Sequence, residues 1–207
     1  MLKEIPILTI IILLPILGVI FNTLINKDLA EENSKKVSLW TSFVTLALSI
    51  FVACQFDHAD GGFQFIEYTL INKLMGFEYH LGLDGISLWF VLLTNFLVSI
   101  CILMSAYLIK VNVRFYMILL LMLQSFLLAA FCSLNLLMFF VAFEAVLIPM
   151  FFIIGVWGGE RRIYATFKFF LYTMTGSILM LIGIVYLYTQ GETLNYQDLL
   201  LLKLTDG

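Results

Sequence analysis

The hydrophobic positions of this chain fall into long blocks separated by short polar stretches. A helix needs about 20 apolar residues to cross the ~30 Å hydrocarbon core of a bilayer. Six blocks reach that length, near residues 5–25, 37–56, 85–108, 113–132, 135–157 and 163–189. The pattern predicts an all-α integral membrane fold with six transmembrane helices. Between Arg114 and Glu160 lie 45 residues whose only formal charge is Glu144. As a single helix, at ~1.5 Å per residue, that run would measure about 68 Å, twice a membrane thickness. It must therefore fold back on itself, and Cys132-Ser133-Leu134-Asn135 is the place for the turn, which makes a tight hairpin of the fourth and fifth spans. Asp84, in Asp84-Gly85-Ile86-Ser87, is placed to cap the third helix. Residues 57–84 read as the longest loop, and Tyr196–Leu204 as a short amphipathic tail.

Composition agrees with the pattern. Of 207 residues, 62% are hydrophobic and 12% are charged, whereas soluble domains carry about a quarter charged residues. The first block follows Lys3 as a signal peptide would, but its length, its Pro6 and Pro15, and the lack of a small-residue cleavage site argue for a retained span. Cys54, Cys101 and Cys132 lie far apart in apolar runs, with no disulfide or metal spacing. His58 and His80 fall in the 57–84 loop, also without metal spacing. No glycine-rich loop follows a strand, so no nucleotide site is visible; Gly155, Gly158 and Gly159 read as a turn beside Arg161 and Arg162. Nothing points to nucleic acid.

Basic residues set the orientation. With six spans, one side collects Lys27, Lys35, Lys36, Lys110, Arg114, Arg161, Arg162 and Lys168, against Lys3, Lys73 and Lys203 on the other. Eight against three makes the first side cytoplasmic. Both ends of the chain, and the 57–84 loop with Asp57, Asp60, Glu67, Glu78 and Asp84, then face outward.

The candidate chemistry is sparse. Glu144 lies 13 residues before Trp157, an interface anchor, and so ~20 Å from the cytoplasmic end of its helix. It is too deep to snorkel, and a charge there costs at least ~2.5–3.5 kcal/mol. Phe140, Val141, Leu147 and Ile148 on its own helix offer it nothing, so a partner must come from another helix or from water. Pro149 lacks an N–H and frees the carbonyl of Ala145, beside Glu144, to hold water. Burial favours the protonated carboxyl and a nearby ammonium the carboxylate, so Glu144 reads as a proton-handling element. On the sixth helix Tyr164, Lys168, Tyr172, Thr175 and Gly176 share one face. Lys168 lies ~10 Å and Thr175 ~20 Å inside its cytoplasmic start. Thr175 and Tyr172 thus approach the depth of Glu144, while Lys168 reads either as a relay on the cytoplasmic side or as a snorkelling lysine. Gln124, ~16 Å deep on the fourth helix, reads equally as functional or as glue between helices; Thr94 and Asn95 read as glue.

At Glu144 the residues meet a known pattern. FEAVLIPMFFIIGVWGGERRIYATFKFFLYTMTGS resembles the fifth and sixth helices of the subunit M family of proton-pumping NADH:quinone oxidoreductase, respiratory complex I, and YHLGLDGISLWFVLLT at residues 79–94 is similar to the family's entry into its third helix. The first stretch is specific to the family, whereas GLDGIS is shared with related antiporter-like subunits. The resemblance implies the N-terminal part of a fourteen-helix antiporter-like subunit. Residues 1–112 would be a three-helix membrane region with an outer loop, 113–190 the first three helices of the first antiporter-like repeat, and 191–207 an outer-face tail. It implies that Glu144 matches the family's glutamate and Lys168 a family lysine. Gln124 stands where some relatives carry glutamate, and Asn135 where aspartate is frequent. The lysine partner of Glu144 would lie beyond Gly207. The expected partners are other membrane subunits of complex I, above all neighbouring antiporter-like subunits, with the lipid bilayer and protons. No cofactor is expected in this chain, since NADH, FMN, iron–sulfur clusters and quinone would be bound by partner subunits. The expected location is a bacterial inner membrane, with both chain ends on the periplasmic face. A subunit of a multi-subunit Na+/H+ antiporter shares the same pattern, and a non-transporting or degenerate fragment is the remaining alternative.

Overall fold

The computed structural model describes residues 6–25, 30–59, 61–72 and 77–201. Lys3, Lys27, Asp60, Lys73, Lys203 and the end of the expected amphipathic tail lie outside the described residues. The elements in order are α1 (Ile7–Leu24), α2 (Ala30–Gln55), β1 (Gln64–Asn72), β2 (Phe77–Leu83), α3 (Gly85–Leu108), α4 (Val113–Cys132), α5 (Leu136–Trp157), α6 (Arg162–Gly191) and the short α7 (Tyr196–Leu199). Helices α1 to α6 are each long and apolar enough to cross a membrane, because backbone in hydrocarbon must satisfy its hydrogen bonds within the segment. Helix α2 begins earlier than the apolar block does. Its first turns are polar and carry the exposed Glu32–Lys36 ion pair, 2.7 Å long.

The segment read as a loop between the second and third spans contains a two-stranded antiparallel sheet. Glu67 stands opposite Leu81, Tyr68 opposite His80 and Thr69 opposite Tyr79. Phe65-Ile66-Glu67-Tyr68-Thr69 is rich in aromatic and β-branched residues, the composition of a strand. A search for blocks of membrane length passes over a run this short.

Asp84 caps α3 as expected, its carboxylate accepting from the Ser87 N–H at 2.6 Å. The α4–α5 turn also falls where expected, with the Asn135 side chain accepting from the N–H groups of Leu137 and Met138 at 3.0 and 3.1 Å. At the other side of the bundle, basic side chains meet helix C-termini, where they complement the helix dipole. Arg114 donates to the Thr23 carbonyl at the end of α1, and Arg162 to the Val156 carbonyl at the end of α5, at 2.8 Å. Trp157 Nε1 donates to the Val111 carbonyl between α3 and α4 at 2.9 Å. Of the three glycines read as a turn, Gly158 ends α5, whereas Gly155 lies inside the helix.

Helix α4 is the centre of the bundle and packs against α1, α2, α3 and α5. One apolar cluster, with Leu8, Val52, Leu81, Leu88 and Leu128, lies under the sheet. A second, with Val98, Ile102, Met117 and Leu121, lies nearer the opposite side. Polar side chains also cross the interior. Gln124 Nε2 donates to Asn95 Oδ1 at 2.7 Å, Asn95 Nδ2 to Ser49 Oγ at 2.5 Å, and the Ser42 and Ser99 hydroxyls lie 2.5 Å apart. Asn22 Nδ2 joins α1 to α2 through Ser38 Oγ at 3.0 Å. Small residues let these helices approach closely. A Cβ on Gly18 would stand 2.7 Å from Thr41 Cγ2.

The sheet is tied to the bundle through Glu67. Pro6, which precedes α1, makes no side-chain cap. The Glu67 carboxylate takes that place, accepting from the Leu8 N–H at 2.7 Å and the Thr9 N–H at 3.1 Å. It also accepts from the Thr9 hydroxyl, which lies 2.7 Å from the Tyr79 hydroxyl. An anion at a helix N-terminus is favoured by both the free N–H groups and the dipole. Replacing Glu67 by Ala should cost ~1–2 kcal/mol, read as a lower thermal midpoint of the detergent-solubilised protein, with Glu67→Gln falling between. An unchanged midpoint in the alanine variant would show that the cap is dispensable.

Candidate functional site

Helix α5 carries one titratable side chain, Glu144, and runs unbroken through the buried Pro149. Glu144 is half-buried, and its Oε1 is shielded from solvent with no hydrogen-bond partner among the described residues. Its direction follows from helix periodicity. Glu144, Leu147 and Phe151 are spaced three and four residues apart and share a face. Phe151 packs edge-on against Phe167 and Phe170 of α6, with ring centroids 5.8 and 5.6 Å apart. Glu144 therefore faces α6. The opposite side of α5 meets α4 through Met138 and Ile153, which pack on the two apolar clusters.

The rotation of α6 decides which of its two polar stripes faces α5. Thr166, Phe170, Thr173 and Ser177 form its inner face; a Cβ on Gly155 of α5 would meet Thr166 Oγ1 at 3.4 Å. Thr166 and Ser177 are buried. The stripe of Tyr164, Lys168, Tyr172, Thr175 and Gly176 lies on the opposite, exposed face, and Tyr172 is 84% exposed. Tyr172 and Thr175 thus share the depth of Glu144 but not its side of the helix. Lys168 is exposed, its Nζ 5.9 Å from the centre of the Tyr164 ring. No ion pair joins it to Glu144 among the described residues. Two polar stripes at helical spacing are written into α6, and the sequence does not say which one turns inward; contact with Phe151 does.

Gln124 lies in a different place from Glu144. Its side chain is fully buried between α4 and α3, bonded to Asn95, and its Oε1 has no partner among the described residues. That bond joins α4 to α3. Among the described residues, no group of three His, Cys, Asp or Glu is placed to hold a metal ion. A cleft of about 320 Å³ beside the sheet is lined by Phe63, Asp84, Ser87, Phe139 and Tyr196, and its one carboxylate is the cap of α3.

A second site, one that sequence reasoning missed, is His80. It is buried where β2, the α4–α5 turn and the α6–α7 connection meet. Its carbonyl accepts from the Leu134 N–H at 2.8 Å, its ring stands edge-on to Tyr68 at 5.3 Å, and its side chain bonds Asn195. A Cβ on Gly82, two residues along, would stand 2.6 Å from Leu134 Cδ1, so the Leu134 side chain packs directly on the glycine. Burial pushes the His80 imidazole below its ordinary value, against the opposing charge of Glu78, the bond to Asn195 and the charge of Asp198. The folded junction thus favours neutral His80. Its stabilising share is present above the ordinary histidine value and is lost as pH falls toward the lowered one. Hydrogen exchange of the Leu134 and Tyr196 amides should accelerate between about pH 7.5 and about pH 5, beyond the intrinsic pH effect. His80→Asn should abolish the excess, and an equal excess in that variant would assign it to another group.

Comparison with known proteins places this geometry. Residues 133–206 match the family described as NADH:quinone oxidoreductase/Mrp antiporter, TM. The chain is 41% identical over 201 residues to NADH-quinone oxidoreductase subunit M of Rickettsia prowazekii, covering 95% of this chain and 40% of that protein. It is 44% identical over 191 residues to NADH-ubiquinone oxidoreductase chain 4 of Marchantia polymorpha, covering 92% of this chain and 38% of that protein. A chain of the structure of respiratory complex I from Thermus thermophilus with bound NADH superposes with a TM-score of 0.80 at 26% identity, over 96% of this chain and 40% of that one. The chain spans about two-fifths of the length of the relatives it matches. These matches bear out the resemblance read from the sequence, and with it the antiporter-like membrane fold.

Proposed function

We propose that this chain, a relative of the antiporter-like subunit M of respiratory complex I, is part of a proton-translocating membrane subunit of NADH:quinone oxidoreductase. Glu144 takes up and releases a proton as electron transfer elsewhere in the complex rearranges charge around it. One observation carries the reading: a carboxyl group deep in a membrane helix with a shielded oxygen that has no partner among the described residues. A fixed structural carboxyl in hydrocarbon would be expected to have its hydrogen bonds met. An oxygen left open is suited to a group whose partner changes.

Lys168, Tyr172 and Thr175 act from the other side of α6. Their polar face is poorly matched to lipid, which supports its being covered by protein in the assembly. The described basic residues Lys35, Lys36, Lys110, Arg114, Arg161 and Arg162 lie at helix ends opposite the sheet. That asymmetry supports a cytoplasmic location for their side and a periplasmic one for the sheet, in a bacterial inner membrane. Lys168, near the basic end of α6, is then the input-side charge, and Pro149 and Gln124 are supporting residues. Other membrane subunits of the complex are the partners, and NADH, FMN, iron–sulfur clusters and quinone are held elsewhere. The matched family also names Mrp antiporters. Redox-subunit genes beside this one favour the complex I assignment, and cation-transport genes favour the antiporter.

In the assembled complex, Glu144→Gln should lower proton pumping at least about tenfold while the complex still assembles. A normal proton-to-electron ratio in that variant would overturn the role. Lys168→Ala should slow pumping several-fold, measured as the initial rate of vesicle acidification. An unchanged rate would return Lys168 to a snorkelling cation at the interface.

A further inference from the structure

We infer that the Ser177 and Thr173 hydroxyls of α6 are the groups that position the proton on Glu144. The inference rests on the reading of Glu144 given above and deepens it. Two contacts fix the register of the α5–α6 hairpin: Phe151 against Phe167 and Phe170, and Gly155 against Thr166. Continued along the antiparallel pair at one rise per residue, that register brings Glu144 level with residues 174–177. Ser177 lies within that range and Thr173 just before it; they are hydroxyl residues of the inner face, one turn apart, on the side of α6 toward which Glu144 faces.

In this structure each hydroxyl is turned onto its own helix. Thr173 Oγ1 donates to the Phe169 carbonyl at 2.6 Å and Ser177 Oγ to the Met174 carbonyl at 2.9 Å. A hydroxyl that donates its one hydrogen still has lone pairs to accept with, and a protonated carboxyl has an O–H to donate. Protonated Glu144 therefore bonds to a hydroxyl oxygen without disturbing the helix. When the proton leaves, the carboxylate can only accept. A hydroxyl then rotates about its χ1, releases its backbone carbonyl and donates to the carboxylate, a charge-assisted and stronger bond. Both protonation states are met by turning side chains, the carboxyl toward α6 and a hydroxyl toward the carboxyl, with no movement of either helix.

No other titratable group competes at this depth among the described residues. Helix α4 carries none between Tyr116 and Cys132, and α6 none between Tyr172 and Tyr186. Lys168 and Tyr172 lie on the far face of α6, and Glu78, Tyr79 and His80 of β2 belong to the sheet at the end of the bundle.

The test uses the intact complex and the infrared carbonyl band of protonated Glu144, identified as the band that Glu144→Gln removes. The double variant Ser177→Ala with Thr173→Val should move that band to higher frequency, toward that of a carboxyl lacking a hydrogen bond, and lower pumping several-fold. Ser177→Thr, which keeps the hydroxyl, should retain both the band position and pumping. A band unmoved in the double variant would overturn this assignment and leave the role of Glu144 standing. A Glu144→Gln complex that pumps normally would overturn both. A loss of helix packing alone would lower pumping without moving the band, and that outcome also counts against the assignment.

Discussion

An irregular turn at the edge of a bilayer has to hand its backbone groups to something, and at residues 133–136 two other parts of the chain take them. The Leu134 N–H goes to the His80 carbonyl of β2. The Leu136 N–H goes to the Leu194 carbonyl, and the Leu134 carbonyl accepts from the Tyr196 N–H, both beyond α6. Unpaired, each of these groups would cost about as much as a lost buried hydrogen bond. The sheet and the α6–α7 connection therefore serve as the backbone partners of the α4–α5 turn. Because that turn sets the origin of both helices, it also fixes the depth at which Glu144 sits.

Within the bundle the same requirement takes a second form. Lipid tails give apolar helices little preference for one another, so polar bonds and close approach decide which helices pair. Between α1 and α4 those bonds run through Asn22, Ser38, Ser49, Asn95 and Gln124. Between α5 and α6 the packing is aromatic, through Phe151, and the hydroxyls of the inner face bond within their own helix. The first four helices form a cross-linked frame, while the pair that carries Glu144 is held by shape along the span and by the Arg162–Val156 bond at its end. That division places the titratable group where hydroxyls can turn without breaking a bond between helices.

Length and hydrophobicity made six helices legible because hydrocarbon leaves a spanning segment few other ways to satisfy its backbone. Asp84 and the Ser133–Asn135 turn were legible for local reasons, a cap signal and a charge-free run too long for one crossing. Glu144 was legible as an isolated carboxylate. The sheet was not, because Phe65–Thr69 resembles a strand only over a few residues and its partner lies across a loop. The facing of α6 was not legible either. Tyr164 to Thr175 and Thr166 to Ser177 are both regular polar stripes, and Phe151, a residue of another helix, decides between them. His80 was read by metal spacing and found none; its burial depends on three segments distant in sequence. The role of Glu67 was hidden in the same way, since nothing local to α1 asks for a carboxylate.

Helix α1 is synthesised before α2 and the sheet, yet its first turn is closed by a carboxylate that follows 59 residues later. When α1 enters the bilayer its leading amides have only water or headgroups to bond. They gain their permanent acceptor after α2 has crossed and β1 has paired with β2. An earlier part of the bundle is thus finished by a later one. A chain that stopped before Glu67 would leave an inserted pair of helices with the first turn of α1 open to water or headgroups.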